Sequence, residues 1–320
     1  MRSFLKKVGF FMLLLIAFSY VFVWVYEKPR REAIRNGTHD TQLKWQDIHN
    51  SENEYDVIIV GSSRGDSTYN PAIIDSITHT SSYNLCSGSQ NIIESYYILK
   101  EALQYQQPKY IVFDSFLPSF SDDPDYYHVL SNGEFMSSSG RLDMIINGFG
   151  SQGVVHYALP ILKYKTYLKR DLKQLFSSPE ALSKKPTRIK GFYYGEKTVD
   201  TASIRSFGPL FTLENTAIPA DKVKKYLARI LALCKAHDVA LIFVRAPYPP
   251  SRLLHHPDPA HDYFKNVFAD LKIPFYDFNK VPVPALQDFD FSDDRHLNYK
   301  GAKKVSKELG LILEEIKEGL

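Results

Sequence analysis

From Tyr55 onward, short apolar runs alternate with stretches whose apolar residues recur every three or four positions. Asp56–Val60 is a compact β-branched run and predicts a buried strand, followed at once by Gly61-Ser62-Ser63. Pro71–Ile77 predicts a short helix, and Tyr83-Asn84-Leu85 a second strand that runs into Cys86-Ser87-Gly88-Ser89. Asn91–Tyr105 carries Ile92, Ile93, Tyr96, Ile98, Leu99 and Leu103 at helical spacing, and Tyr110–Phe113 predicts a third strand ending at Asp114-Ser115. The same alternation returns after residue 219. Asp221–His237 predicts a helix capped by Asp221, Val239–Val244 a fourth strand, Asp262–Leu271 a helix and Pro274-Phe275-Tyr276 a fifth strand. Gly301–Leu320 closes the chain as an amphipathic helix. Strands that alternate with helices in this way predict an α/β domain with a parallel, doubly wound sheet.

Two stretches break the pattern. Val8–Tyr26 is an apolar run without a charge, preceded by Arg2, Lys6 and Lys7. At about 1.5 Å per residue it nearly spans a hydrocarbon core of about 30 Å, and Trp24 and Tyr26 suit an interfacial aromatic position. It predicts an uncleaved membrane anchor. A cleaved signal peptide is the rival, with Ala17-Phe18-Ser19 as its small-x-small site, but the apolar run continues beyond it through Val25. Lys28, Arg30, Arg31 and Arg35 follow the span, so positive charge flanks both ends and does not set the orientation. The other break is a long insertion between about residues 117 and 220, which fits either a helix over Ala158–Phe176 or a loop-rich cap with several short helices. An insertion of this length at strand ends is expected to cover an active site. The chain thus divides into an anchor (residues 1–27), a polar linker with about one helical turn (28–54) and one domain (55–320) that carries the insertion.

Composition narrows the chemistry. The 320 residues are 44% hydrophobic, enough for a real core, and the net charge is only +3 with acids and bases interspersed, which argues against nucleic acid as a partner. Cys86 and Cys234 are the sole cysteines, so no disulfide framework or Cys/His metal cluster is expected.

Chemistry-bearing residues stand at the two ends of the α/β pattern. Ser63 follows the first strand, at the sheet edge where such folds bind ligands and beside a helix N-terminus that favours developing negative charge. Just before the last helix, Asp293-Asp294-Arg295-His296-Leu297-Asn298-Tyr299-Lys300-Gly301 contains Asp-x-x-His continued as His-x-Asn-x-x-Gly. An imidazole can take the proton of a serine hydroxyl, and a carboxylate on its other nitrogen fixes the tautomer and stabilises the imidazolium. Taken alone, either motif also fits a plain turn or a capped helix N-terminus.

Together the two ends resemble the SGNH (GDSL-type) hydrolase superfamily. Within it, the Gly61-Ser62-Ser63-Arg64 turn and the N-terminal anchor look more like the membrane-attached acyltransferase branch, which includes proteins of teichoic acid D-alanylation and alginate acetylation. The resemblance covers about Asp56–Asp114 and residues 219–320, not the insertion. It implies a three-layer αβα, flavodoxin-like fold, with Ser63 as nucleophile, His296 as base and Asp293 as its orienter. Gly88 matches the second-block glycine, whose N–H joins that of Ser63 in an oxyanion hole. The third-block Gly-x-Asn-Asp is absent, since Asp114-Ser115-Phe116 follows the third strand. Arg64 and Arg245, at two strand ends, and Asn298, inside the histidine motif, are candidates to hold an anionic or sugar substrate. No cofactor or metal is implied. The expected function is transfer or hydrolysis of an acyl ester, with acetyl favoured, on a cell-envelope glycan outside the cytoplasmic membrane, with a multi-span acyltransferase as a candidate partner. A plain ester hydrolase and a non-catalytic glycan-binding or assembly protein are the alternatives. Gly65-Asp66-Ser67 spells the family's name but falls about a helical turn too late to be the nucleophile, and Arg64-Gly65-Asp66 spells an adhesion tripeptide with no supporting context.

Overall fold

The computed structural model describes the chain apart from residues 51, 122, 165–186, 213–219, 257, 282, 284–285 and 320. Helices α1 (Arg2–Tyr26), α2 (Lys28–Arg35) and α3 (Asp40–His49) precede strand β1 (Val57–Val60). Helices α4 (Ser63–Thr68) and α5 (Pro71–Thr78) lead to β2 (Ser82–Asn84), and α6 (Ile92–Ala102) leads to β3 (Tyr110–Asp114). The insertion forms α7 (Tyr126–Asn132), α8 (Ser138–Asp143), a π turn (Met144–Gly148), α9 (Gly150–Ala158) and a 3-10 turn (Pro160–Tyr164). A hairpin of β4 (Thr187–Ile189) and β5 (Phe192–Tyr194) and helix α10 (Thr201–Arg205) complete it. The chain then runs through α11 (Ala220–Ala236), β6 (Ala240–Arg245), α12 (Pro250–His255), α13 (Ala260–Asp270), β7 (Phe275–Asp277) and α14 (Tyr299–Gly319).

These elements divide between two compact units, residues 1–45 with 125–185, and residues 46–124 with 186–320. The second unit is built on a five-stranded sheet in the order β2-β1-β3-β6-β7, parallel at every pair. That order and direction are those of a flavodoxin-like, doubly wound fold. The central strands are apolar along their length, up to Asp114 and Arg245 at the carboxyl ends of β3 and β6, because both faces are covered. Val57, Ile59, Val112, Ile242 and Val244 pack towards Ile74 of α5 and Val305, Leu309 and Ile312 of α14. On strand residues of the opposite parity, the Phe113 ring packs at a tilt on Phe243, which stacks on Phe268 of α13, itself stacked on Phe264.

In the first unit, α1 is long and apolar enough to cross a membrane. The stretch read as a polar linker is helical instead. Pro29 opens α2 in its first turn, and in α3 the indole N–H of Trp45 donates to the Asn132 carbonyl at 2.9 Å. Burying that ring supplies the tertiary contact a short polar helix needs, and nothing in local periodicity announces it. The helix expected to begin at Ala158 is found to end there, with Pro160 starting a separate 3-10 turn; the remainder of that expectation lies outside the described residues.

Candidate active site

Three strand ends hold the nucleophile turn. Gly61 lies so close to β3 that a Cβ on it would stand 2.7 Å from the Asp114 Cβ, which only glycine tolerates. Ser62 caps α4 by accepting the Arg64 N–H, and Ser67 sits inside the same helix with its hydroxyl donating to the Ser63 and Arg64 carbonyls, both at 3.2 Å. From the end of β2, the buried Asn84 amide donates to the carbonyls of Gly65 (2.9 Å) and Tyr69 (2.8 Å) and accepts the Cys86 N–H. This clamp on α4 was not foreseen; an asparagine at a strand end carries no signal of its partners.

The histidine motif is fixed as tightly. Phe291 and Leu297 form an antiparallel bridge, and the Ser292 N–H donates to the His296 carbonyl at 2.8 Å. Within that loop the Asp293 carboxylate accepts the backbone N–H groups of Arg295 and His296 at 2.9 and 2.8 Å. It also faces the ring: His296 Nδ1 lies 2.9 Å from Asp293 Oδ2 and 3.0 Å from Oδ1. The other ring nitrogen, Nε2, is 2.9 Å from Ser63 Oγ. The structure thus brings the three residues, 233 positions apart at the extremes of the serine–histidine contact, into one hydrogen-bonded chain. Partial burial pushes the Asp293 carboxyl up, but the His296 ring and the two backbone donors outweigh it and hold it at about 2. An ionised carboxylate there holds Nδ1 protonated and leaves Nε2 free to accept from Ser63.

The Ser63 N–H, in the first turn of α4, has no hydrogen-bond partner among the described residues. Gly88 lies in the half-buried loop after β2, which the Ser87 N–H ties to the Gly61 carbonyl at 3.0 Å. At the end of β3, where the third-block asparagine is absent, both side chains are turned inward. Asp114 accepts from the Tyr69 hydroxyl (2.9 Å) and the Ala246 N–H (3.0 Å), and Ser115 donates to the Val244 carbonyl (2.7 Å). Burial raises the Asp114 carboxyl, partly offset by the nearby Arg64 charge.

Three expectations need correction. Arg245 does not face the site: it is buried in a bidentate pair with Asp258 and a further bond to Asp277 at 2.9 Å, and Asp277 also holds the His261 ring at 2.8 Å. Arg64 is equally buried, only 1% exposed, donating to the Ala246 and Pro247 carbonyls while its guanidinium lies 3.9 Å from the Tyr248 ring centre. Asn298 caps α14, accepting the Lys300 and Gly301 N–H groups and donating to the Phe289 carbonyl, so its side chain is spent on the loop rather than on a substrate. Beside the triad acid, Asp294 pairs with both Arg295 and Arg252. Burial of Arg64, Gly65 and Asp66 in α4 likewise removes the adhesion tripeptide, with Asp66 paired to Arg188 at 2.8 Å. Both cysteines are free and buried.

A cavity of about 270 Å³ adjoins Asp293 and is lined by Lys197, Asp200, Ser203, Ser206 and Ser292 among others. Among the described residues, no group of three or more His, Cys, Asp or Glu is placed to hold a metal ion.

No family model matches the chain, and no curated protein matches it. Among solved structures, one similar chain is a Bacteroides fragilis protein that its description calls a provisional acylhydrolase. The two share 12% identity over 83% of this chain and 89% of that one, at a TM-score of 0.39.

Proposed function

We propose that this chain is a membrane-anchored serine enzyme of the SGNH type that moves an acyl group, acetyl first among the candidates, to or from a cell-envelope glycan. The observation that carries the reading is the Ser63–His296–Asp293 chain at the carboxyl edge of the parallel sheet. In this reading His296 Nε2 takes the Ser63 proton as Oγ attacks the acyl carbonyl carbon, and Asp293 stabilises the imidazolium that results. The oxyanion forms against the N–H groups of Ser63 and Gly88, where each donor is worth about a hundredfold or more in rate. The intermediate collapses with departure of the donor alcohol, which takes the proton from His296, and leaves an ester on Ser63. His296 then deprotonates the acceptor, a sugar hydroxyl or water, which attacks the ester and returns Ser63 with its proton. Helix α1 supports anchorage, and the catalytic unit is placed outside the cytoplasmic membrane, where envelope glycans are. A multi-span membrane acyltransferase is the proposed source of the acyl group.

Transfer to sugar is proposed over release to water, because the anchor holds the chain at the envelope and the usual asparagine donor has no replacement from Asp114 or Ser115. Incubation with an activated acetyl ester, with and without envelope glycan, tests this. The expected result is acetylated glycan and a lower yield of free acetate when glycan is present. Free acetate formed equally in both, with no acylated glycan, would establish the plain hydrolase. Turnover that is unchanged by Ser63→Ala would leave only the non-catalytic binding role.

A further inference from the structure

The insertion contains a second uncharged stretch. Between Asp143 and Lys163, the 19 residues Met144–Leu162 carry no Asp, Glu, Lys or Arg. Gly148, Gly150, Gly153 and Pro160 break it into the π turn, α9 and the 3-10 turn, and α9 with nine residues reaches only about 14 Å, far short of a crossing. Met144, Ile145 and Phe149 are buried, but the other apolar side chains form an outside set: Ile146 is 53% exposed, Val154 42%, Val155 43%, Tyr157 40% and Leu162 36%. The one histidine in the run, His156, stacks on Tyr126 of α7 at 3.9 Å.

This surface joins the anchor within one compact unit. Residues 1–18 are exposed all round, but Ser19 and Val23, one turn apart on α1, are buried. The Tyr20 hydroxyl donates to the Ala158 carbonyl, the Tyr26 ring packs edge-on against Tyr164 at 4.7 Å, and Lys163 pairs with Glu27 at 2.8 Å. Val8–Tyr26 is barely long enough to cross, so its whole length is needed in the bilayer. Tyr20, six residues before the end of α1, then lies about 9 Å below its exit point. Amphipathic helices that lie in a membrane surface sink their apolar face about 5–10 Å. A backbone that meets α1 at Tyr20 therefore sits at that depth, while the Lys163–Glu27 pair and Arg31, whose guanidinium lies 4.7 Å from the Trp24 ring centre, mark the headgroup level.

We propose that Met144–Leu162 is a second membrane contact, lying in the outer face of the lipid bilayer alongside α1 with Ile146, Val154 and Val155 among the acyl chains. The proposal rests on α1 being an anchor, and the test separates the two. Single cysteines are placed at Ile146, Val155, Phe11 and Lys224 in the full chain, reconstituted in phosphatidylcholine vesicles, and each is given a nitroxide label. The native Cys86 and Cys234 are buried and stay unlabelled. Collision with oxygen against a water-soluble nickel chelate then reads depth. Labels at residues 146 and 155 are expected to favour oxygen as the label at 11 does, and the label at 224 to favour nickel. Lipid-like values at 11 with water-like values at 146 and 155 would overturn the second contact and leave the anchor standing. Water-like values at all four would overturn both.

Discussion

Asp293 spends its carboxylate on three groups at once, the His296 ring and two backbone N–H donors, and this makes its charge a stabilising feature of the fold as well as of the site. The sign follows from its lowered value. Folded, it ionises at about 2; unfolded, it returns towards 3.8, so the stabilisation is complete above about pH 3.8 and is lost as pH falls through 2. Wild-type chain in detergent should melt above Asp293→Asn at pH 5, with the gap in Tm narrowing as pH is lowered from 4 towards 2. A gap that stays constant would show that the charge is not held as described. At this scale the residues of the two motifs were legible because their types and order carry chemistry. The arginines were misread because sequence shows a charge and not its burial: Asp258 and Asp277, which claim Arg245, lie 13 and 32 positions away.

The elements around the site work as clamps on one short helix. Helix α4 has six residues, too few to be stable alone, and is held by Asn84 from β2, by the close approach of Gly61 to β3, and by Arg64 reaching the carbonyls after β6. The Arg245–Asp258–Asp277 cluster fixes the ends of β6 and β7 in the same layer. Arg245→Leu would strand two buried carboxylates and should cost about 3–5 kcal/mol, read as a lowered unfolding midpoint by circular dichroism. A loss below about 1 kcal/mol would mean that the cluster is solvated. The strands and their flanking helices were legible because buried parallel strands are short, continuous apolar runs and the helices repeat at 3.6. The hairpin of β4 and β5 was not. It is two three-residue strands, too short to show a period, and its turn is fixed by contact: the Lys190 carbonyl accepts the Asn84 N–H, and a Cβ on Gly191 would collide with the Asn84 carbonyl.

Over the whole molecule, helix α1 was legible as an uncharged span of membrane length, while a direction across a membrane was not, because basic residues stand at both ends. The insertion kept its organisation hidden for a related reason. Residues 125–185 share a unit with the N-terminal helices, and contacts such as Arg30 with Glu134 join segments about a hundred positions apart. What unites the account is a serine nucleophile on the outer side of a membrane, and both halves of that statement can be read at once. A membrane-impermeant fluorophosphonate, which phosphonylates an activated serine with loss of fluoride, is added to intact cells that express the full chain, and the adduct is mapped by mass spectrometry. The account predicts an adduct on Ser63 without lysis and no adduct in Ser63→Ala, His296→Ala or the double variant. Asp293→Ala should label slowly, and Ser67→Ala and Asp294→Ala at the wild-type rate. An adduct that maps to Ser62 or Ser67, or full labelling of Ser63→Ala, would contradict the nucleophile; labelling that requires lysis would contradict the outward placement.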